Sequence, residues 1–372
     1  MQDARGLKQP LLGIAGTIIA ACLSLWICFL FTPSVLGSWV AQFVMSAIPL
    51  QIILGLVWHT EYPGFLGKLS QPLKGMMFLV LMAVAAVIVT PASVAAVGGH
   101  VWPPTPFVII FTISSIVMTF WLVVVFHCWP FSAISKHPLA AGMGTFVLAY
   151  ILDFVWFKLA FNFSPMKGAP FYSAAIDPQG WFPAWRLLSF MVTSVVVIMW
   201  FVMWDFWPSA TIVKKVPVLG KQPLFGILTG AIVLAIAAVI WTSGIIGMHM
   251  DAVDYLVRVG VSLLFGEFIL ILMMETAPFQ TAKQPLKGIV LYVITVILAL
   301  LMHWIYQVAA LRYFGHMAKG APSYDLDLWL ATAMLSITFP LIVVLNNGFG
   351  FWPLTIRKQI AGESAAKAVA GG

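Results

Sequence analysis

Charged residues are scarce in this chain of 372 residues. Asp, Glu, Lys and Arg together make up 8% of it, against 62% hydrophobic residues. An ordinary soluble domain carries roughly 25% charged residues. A chain with so little charge cannot cover a folded surface with polar groups, so the composition excludes a soluble domain and places the protein in a lipid bilayer.

Cysteine is also scarce, and the common catalytic motifs are missing. The three cysteines (Cys22, Cys28 and Cys128) form no CxxC or CxxCH, so we expect neither a disulfide framework nor a c-type haem. There is no Walker A, HExxH or GxSxG motif, and no GxGxxG after a strand. We therefore expect any chemistry to take place within the bilayer or at its face, not in a soluble catalytic domain.

The sequence is rich in long apolar runs. Ten of them cover residues 10–32, 38–58, 72–97, 105–128, 138–162, 184–206, 223–246, 252–275, 285–309 and 328–352. A spanning helix needs about 20 apolar residues, and runs without strict alternation favour helix over strand. The predicted fold is an all-α integral membrane protein with ten transmembrane helices, in a single membrane domain over 1–372 that ends in a polar tail at 357–372. The first run is too long for an obvious cleaved signal peptide.

A short motif recurs where the odd-numbered runs begin. It reads KQPLLG, SQPLKG, KHPLAAG, KQPLFG and KQPLKG, and the even-numbered runs close on HTEYPGF, HCWPFS, DFWPSA, ETAPFQ and GFWPLT. Proline suits the first helical turn, and the glycine one turn later lets a neighbouring helix approach closely. The pattern predicts five parallel helical-hairpin repeats, at about 8–69, 70–135, 136–220, 221–282 and 283–356.

Positive charge is unevenly distributed between the two ends of the runs. Thirteen of the 19 Lys and Arg residues lie where even runs end and odd runs begin, or at the termini, whereas Asp177, Asp251, Asp254, Asp325 and Asp327 lie on the opposite side. The positive-inside rule then predicts that both termini are cytoplasmic and that the protein lies in the plasma (inner) membrane. This distribution accounts for the net charge of +7 without nucleic acid as a partner.

Polar residues recur at the ends of the even-numbered runs. They are His59, His127, Asp205 and Glu275, with Gly350 in the fifth copy. At one depth, two imidazoles and two carboxylates could bind a metal or a polar substrate, or relay protons. His59 and His127 could also ligate a b-type haem, and the MHM (248–250) and HM (316–317) segments suit copper. The alternative is structural, because each residue could cap a turn or pair with a loop lysine.

Other polar residues lie inside the runs, where charge is costly. Glu267 and Asp153 are the best candidates for function, and Gln51, Asn346 and Asn347 complete the predicted set of pathway residues. A buried carboxylate can carry protons. The structural alternative pairs Asp153 with Lys158, or Glu267 with a tryptophan N–H. Arg258 is placed to pair with Asp254 at i,i+4.

These observations favour a transporter or channel for a small solute or ion, which could be proton-coupled and whose pathway runs between hairpins. The alternative is a membrane-embedded redox or metal-binding protein with haem b or copper, as a subunit of a larger complex. A purely structural assembly subunit is a third reading. The expected partners are the lipid bilayer, a small-molecule or ion substrate, and partner subunits or further copies of the chain.

Overall fold

In the part of the chain that the structure describes, ten helices are long and apolar enough to cross a membrane, as predicted. The computed structural model describes residues 6–169, 171–277, 279, 282–321 and 323–355, so the polar tail at 357–372 lies outside the described residues. The spanning helices are α1 (Leu11–Phe29), α2 (Pro33–Val57), α3 (Leu73–Val97), α4 (Pro106–Val125), α5 (Pro138–Ala160), α6 (Ala184–Met203), α7 (Leu224–Gly247), α8 (Ala252–Met273), α9 (Leu286–Phe314) and α10 (Asp325–Gly348). The protein is an integral multi-pass membrane protein.

Two helices begin earlier than hydropathy predicts, for identifiable reasons. Helix α2 begins at Pro33, where Thr32 caps it by accepting a hydrogen bond from the Val35 N–H at 3.5 Å. Helix α10 begins at Asp325, with Asp327 also in its first turn. Carboxylates are favourable at a helix N-terminus because they oppose the positive end of the macrodipole. Polar starting residues of this kind fall outside an apolar run, so the apolar run is shorter than the helix.

The even-numbered helices form an inner ring. At least two thirds of the residues in their apolar segments are buried, whereas the odd-numbered helices bury less than half. Helix α2 packs against α4, α4 against α6, α6 against α8, α8 against α10, and α10 against α2. The ring is therefore closed without any odd-numbered helix taking part in it.

The odd-numbered helices lie outside this ring, each across two or three of its members. Helix α1 packs against α8 and α10, α3 against α10 and α2, α5 against α2 and α4, α7 against α4 and α6, and α9 against α6 and α8. Large apolar side chains cover their outer faces, for example Ile88, Val239 and Leu300. Exposed apolar surface of this extent is suited to contact with lipid.

The opening motif fixes each outer helix to the end of an inner one. The side-chain amides of four glutamines donate to main-chain oxygens: Gln9 to Met273 at 2.8 Å, Gln71 to Gly348 at 2.7 Å, Gln222 to Val125 at 3.0 Å and Gln284 to Met203 at 3.1 Å. Each glutamine oxygen also accepts the N–H of the motif glycine, four residues later. The last carbonyls of a helix have no partner within it, and these glutamines supply one.

The motif glycines are sites of close approach, as predicted from their position. A Cβ on Gly142 would collide with the Trp58 ring, and one on Gly288 with the Trp204 ring. At Gly13 the obstacle is the main chain of Met273 itself. Any larger residue at these points would push the outer helix away from the ring.

The even-numbered helices all end in the same local geometry. Left-handed residue pairs follow them at His59–Thr60, His127–Cys128, Asp205–Phe206, Glu275–Thr276 and Gly350–Phe351, with φ between 47° and 63°. Four of these helices close on a π-helical turn, at Ile53–Val57, Trp121–Val125, Ile269–Met273 and Val344–Gly348. The acceptor for each glutamine lies two residues before the first left-handed residue, at the point where the helix is interrupted.

The loop between α5 and α6 has a small fold of its own. Two-residue strands β1 (Phe161–Asn162) and β2 (Phe182–Pro183) pair in parallel. Between them Asp177 accepts four hydrogen bonds, from the main-chain N–H of Phe163 and Gln179 and from the hydroxyls of Ser164 and Tyr172, all at 3.0–3.1 Å. One buried carboxylate therefore organises this loop.

Candidate functional site: a central cavity

A cavity of about 1520 Å³ lies inside the ring of even-numbered helices. All five of these helices contribute to its wall, together with the loop that follows β1 and the segment before α10. Its mouth is at the end where the even-numbered helices begin, since Pro33, Pro106, Ala184, Ala252 and Asp325 all line it. Known ligand pockets are of comparable or smaller size, about 300–1,000 Å³.

The cavity reaches deep into the helical layer. Its innermost lining residues are Ile48, Phe120, Val195, Phe268 and Phe339. They lie 12 to 17 residues into their helices, which is roughly 18–25 Å from the mouth at the usual rise per residue. The cavity thus crosses more than half of the membrane span before it ends.

Three stacked phenylalanines lie at the inner end. The rings of Phe120 and Phe268 have centroids 6.0 Å apart, and those of Phe268 and Phe339 are 4.1 Å apart and almost parallel. They come from α4, α8 and α10. We refer to Phe120, Phe268 and Phe339 as the aromatic plug.

The wall and the rim of the cavity differ in chemistry. The wall is mainly aliphatic, with Ile109, Ile116 and Leu335 on it, whereas ionisable groups lie at the rim: Lys167, Arg186, Asp251, His316 and Asp325. Asp251 also caps α8 by accepting from the N–H groups of Val253 and Asp254. A charged rim above an apolar wall can orient a molecule that has one polar end.

Three of the predicted pathway residues bridge ring helices beyond the plug. Gln51 donates to the Pro340 oxygen at 2.9 Å, and Asn346 to the Leu272 oxygen at 2.8 Å. Asn347 packs against Gly55 of α2. None of the three is part of the cavity wall, so they join the inner helices to one another on the far side of the plug.

The two buried carboxylates lie outside the cavity wall as well. Glu267 is fully buried in α8 and close enough to Tyr292 of α9 to interact with it, and neither of its oxygens has a hydrogen-bond partner among the described residues. The bond to a tryptophan N–H that the structural alternative requires is not made: Trp200 Nε1 and Trp204 Nε1 lack partners too.

Asp153 is in a similar position on α5. It is fully buried, and both of its oxygens lack a hydrogen-bond partner. The expected pair with Lys158 does not form, since neither Asp153 oxygen has a partner. The Lys158 ammonium instead lies 5.7 Å from the centre of the Phe154 ring. The other expected pair is confirmed, since Arg258 Nε lies 2.5 Å from Asp254 Oδ1.

The residues proposed as metal ligands are separated from one another. His59, His127 and Asp205 are exposed at the ends of three different helices, and Glu275 is half-buried at a fourth. Within the described ranges, no three His, Cys, Asp or Glu side chains come together as a metal site would require. Asp205 instead accepts from Lys287 at 3.0 Å and from Gln284 at 2.8 Å. Asp205 thus has a lysine partner, as the structural alternative expects, although Lys287 lies in the first turn of α9 and not in a loop.

The copper candidates are likewise on different segments. Met248, His249 and Met250 precede α8, and His316 and Met317 lie at the cavity rim. Sequence reasoning missed the aromatic plug, because nothing distinguishes its three members among 28 phenylalanines.

The chain matches no protein family, no curated protein and no solved structure.

Proposed function

We propose that the protein is a transporter or channel that takes a small solute or ion from one side of the membrane through the central cavity. The observation that carries this proposal is the cavity itself, enclosed by five membrane-spanning helices and open at one end. A scaffold subunit has no need of a deep space on its axis. The charge distribution of the loops supports an outward-facing mouth.

The aromatic plug suits the closed state of such a pathway. Hydrophobic constrictions stop water and ions by dewetting, without a charged barrier. In this proposal the stacked rings of Phe120, Phe268 and Phe339 are the constriction at the end of the cavity. Gln51, Asn346 and Asn347 would then hold the far side closed and exchange partners when the pathway opens.

Glu267 is our candidate for proton coupling. An isolated buried carboxylate is expensive, and it is cheapest to bury when it carries a proton. Glu267 interacts with Tyr292, whose ring packs against Trp200, and this aromatic pair offers few oxygens to any other cation. The helix that carries Glu267 also carries Phe268 of the plug, so a change in its charge is placed to affect closure.

We further infer that the five hairpins are repeats arranged around a common axis. Three recurring features support this inference: the glutamine bond in four copies, the motif glycines, and the left-handed residue pairs at the ends of the five inner helices. The third copy has His137 in place of glutamine, and there Trp58 Nε1 donates to the Pro138 oxygen at 2.8 Å. The contact is kept with a different donor.

Cysteine accessibility tests the proposed pathway. In a chain whose three cysteines have been replaced, Ile116→Cys would place a thiol on the cavity wall, roughly 15 Å into α4. We expect it to react with a membrane-impermeant methanethiosulfonate added from outside, and the adduct to reduce solute flux in proteoliposomes. Ile297→Cys, on the exposed face of α9, is the matched control and should stay unlabelled. An unreactive Ile116→Cys would contradict an open cavity.

A further inference from the structure

The space between α4 and α5 contains a buried carboxylate with no partner. Asp153 is inaccessible to solvent, and neither of its oxygens accepts a hydrogen bond. The ion pairs of Lys and Arg seen among the described residues involve Asp254 and Asp205, and none of them involves Asp153. An unpaired charge at such a depth is strongly disfavoured, and something in the membrane must therefore compensate it.

Hydroxyl groups lie near this carboxylate. The Ser114 hydroxyl of α4 lies close enough to interact with Asp153, although in the structure it turns to the Met191 sulfur at 3.9 Å. Tyr150, one turn before Asp153, interacts with both Asp153 and Ser115. Within the part of the chain that the structure describes, the groups that interact with Asp153 are thus hydroxyls.

The hydroxyl hydrogens of Ser115 and Tyr150 are already engaged. Ser115 Oγ donates to the Thr112 oxygen at 2.8 Å, and the Tyr150 hydroxyl donates to the Ser46 oxygen at 3.4 Å. Their oxygen lone pairs are left to face other groups. A hydroxyl held in this way is an acceptor or a metal ligand, and is not available to donate to Asp153.

One more unpartnered oxygen belongs to the same cluster. Gln42 of α2 donates from its amide nitrogen to Thr112 at 2.8 Å and to Ser46 at 3.0 Å, which fixes the amide, and its Oε1 is buried without a partner. Thr90 of α3 also donates to Ser46. Four helices therefore contribute polar groups to one buried region.

We infer that Asp153, with the hydroxyls of Ser114, Ser115 and Tyr150, forms a binding site for Na⁺. A set made only of oxygen ligands suits a hard cation. One carboxylate among neutral oxygens matches a single positive charge, so the occupied site is neutral, whereas Ca²⁺ or Mg²⁺ would leave an excess charge in the membrane. This inference does not depend on the central cavity being a pathway.

The site is placed to sense the cavity from behind its wall. Ser114 and Ser115 interact with Asp153 and Tyr150 of α5 and are not part of the cavity wall, whereas their neighbours Ile113 and Ile116 line the cavity. An ion at Asp153 would draw α4 and α5 together, and the plug residue Phe120 is on the same helix. Occupancy at this site would therefore bias the position of one wall of the cavity.

Direct binding of ²²Na⁺ to the purified protein in detergent tests the site. We expect saturable binding of one ion per chain, and its loss in Asp153→Asn. Glu267→Gln is the matched control, because Glu267 is also a fully buried carboxylate without partners, and it should bind Na⁺ like the wild type. Equal binding by the wild type and Asp153→Asn would overturn the proposal, as would no saturable binding to the wild type.

A second measurement covers the case in which Asp153→Asn folds poorly. Ser115→Ala removes one oxygen ligand and leaves the charge, so it should weaken Na⁺ binding several-fold. Because a ligand that binds only the folded state raises its stability, NaCl should raise the midpoint of thermal unfolding above that in choline chloride at equal ionic strength. An identical midpoint in the two salts would show that protonation, and not Na⁺, compensates Asp153.

Discussion

Gln222 on the loop before α7 donates its side-chain amide to the main-chain oxygen of Val125 at 3.0 Å, although the two residues are 97 positions apart. Its own side-chain oxygen accepts the N–H of Gly226 at 3.3 Å. One side chain thus satisfies the end of an inner helix and the start of an outer helix at once. Gln9, Gln71 and Gln284 make the same two bonds.

Gln222→Ala should destabilise the fold without altering its topology. It leaves the Val125 oxygen without its donor, and a buried group deprived of its hydrogen bond costs about 1–3 kcal/mol. We expect a lower midpoint of thermal unfolding in detergent. Gln307→Ala is the control, because no hydrogen bond of the Gln307 side chain is seen within the described residues. Equal midpoints for the two variants would mean that the glutamine bond contributes nothing.

Truncation of the aromatic plug should make the membrane leaky. Phe268 stacks on both Phe120 and Phe339, so Phe268→Ala opens the constriction on two sides. We expect faster efflux of ions and small polyols from proteoliposomes than with the wild type. Phe43→Ala, at a side chain 41% exposed on the outside of α2, should leave efflux unchanged. A tight Phe268→Ala variant would place the barrier elsewhere.

Glu267→Gln should fold and insert normally. The amide keeps the shape of the side chain and removes a buried charge that has no partner. Under the proton-coupling proposal, the variant loses activity or loses the pH dependence of activity. Glu267→Ala should in addition give less folded protein, because truncation leaves a cavity in a packed region. Wild-type activity with an unchanged pH profile in Glu267→Gln would assign the residue a structural role only.

The loop between α5 and α6 should lose stability in acid. Burial alone raises the pKa of Asp177, but the hydrogen bonds from Gln179, Phe163, Tyr172 and Ser164 outweigh it, so the folded pKa lies below the usual value. A depressed folded pKa stabilises the fold above the unfolded pKa, about 3.9. That stabilisation is lost as the pH falls through the folded pKa.

Hydrogen exchange of residues 161–183 at neutral and strongly acidic pH measures this effect. At neutral pH, Asp177→Asn should exchange faster than the wild type, and in strong acid the difference should shrink as the wild-type carboxylate becomes protonated. Asp325→Asn is the control, since Asp325 is exposed and belongs to a different segment. A difference that does not change with pH would contradict the role of the charged form.

Labelling from outside intact cells tests the orientation. In a chain without its natural cysteines, Asp325→Cys should react with an impermeant maleimide and Lys283→Cys should not, because positively charged loops stay on the cytoplasmic side. Both positions are exposed, so a difference reports the side of the membrane and not burial. Labelling of Lys283→Cys alone would reverse the predicted topology.

Hydropathy was sufficient to find all ten helices, because lipid imposes a length and an apolar composition on every span. The roles of proline and glycine in the opening motif could also be deduced, since both follow from local sterics. The glutamine beside them was overlooked, although it recurs in four copies of the motif. Its role depends on a carbonyl far away in sequence, which local rules do not reveal.

The division into inner and outer helices was harder to predict. Every run is apolar, so hydropathy alone does not separate a lipid-facing helix from a buried one. A signal did exist, because the even-numbered helices carry many of the buried hydroxyl and amide residues, among them Gln42, Ser46, Thr112 and Thr193. The cavity depends on how five such helices enclose a space, and that shape has no counterpart in the sequence of any one of them.

The order in which the ribosome releases the helices sets a constraint on assembly. The acceptor for Gln9 is Met273, 264 positions later, and the acceptor for Gln71 is Gly348, 277 positions later. Helices α1 and α3 are therefore synthesised long before the helices to which they bind. Until α8 and α10 are inserted, the surfaces of α1 and α3 that contact them stay uncovered in the bilayer. A chain released before α10 is made therefore exposes two helix-packing surfaces to other membrane proteins and to quality-control proteases.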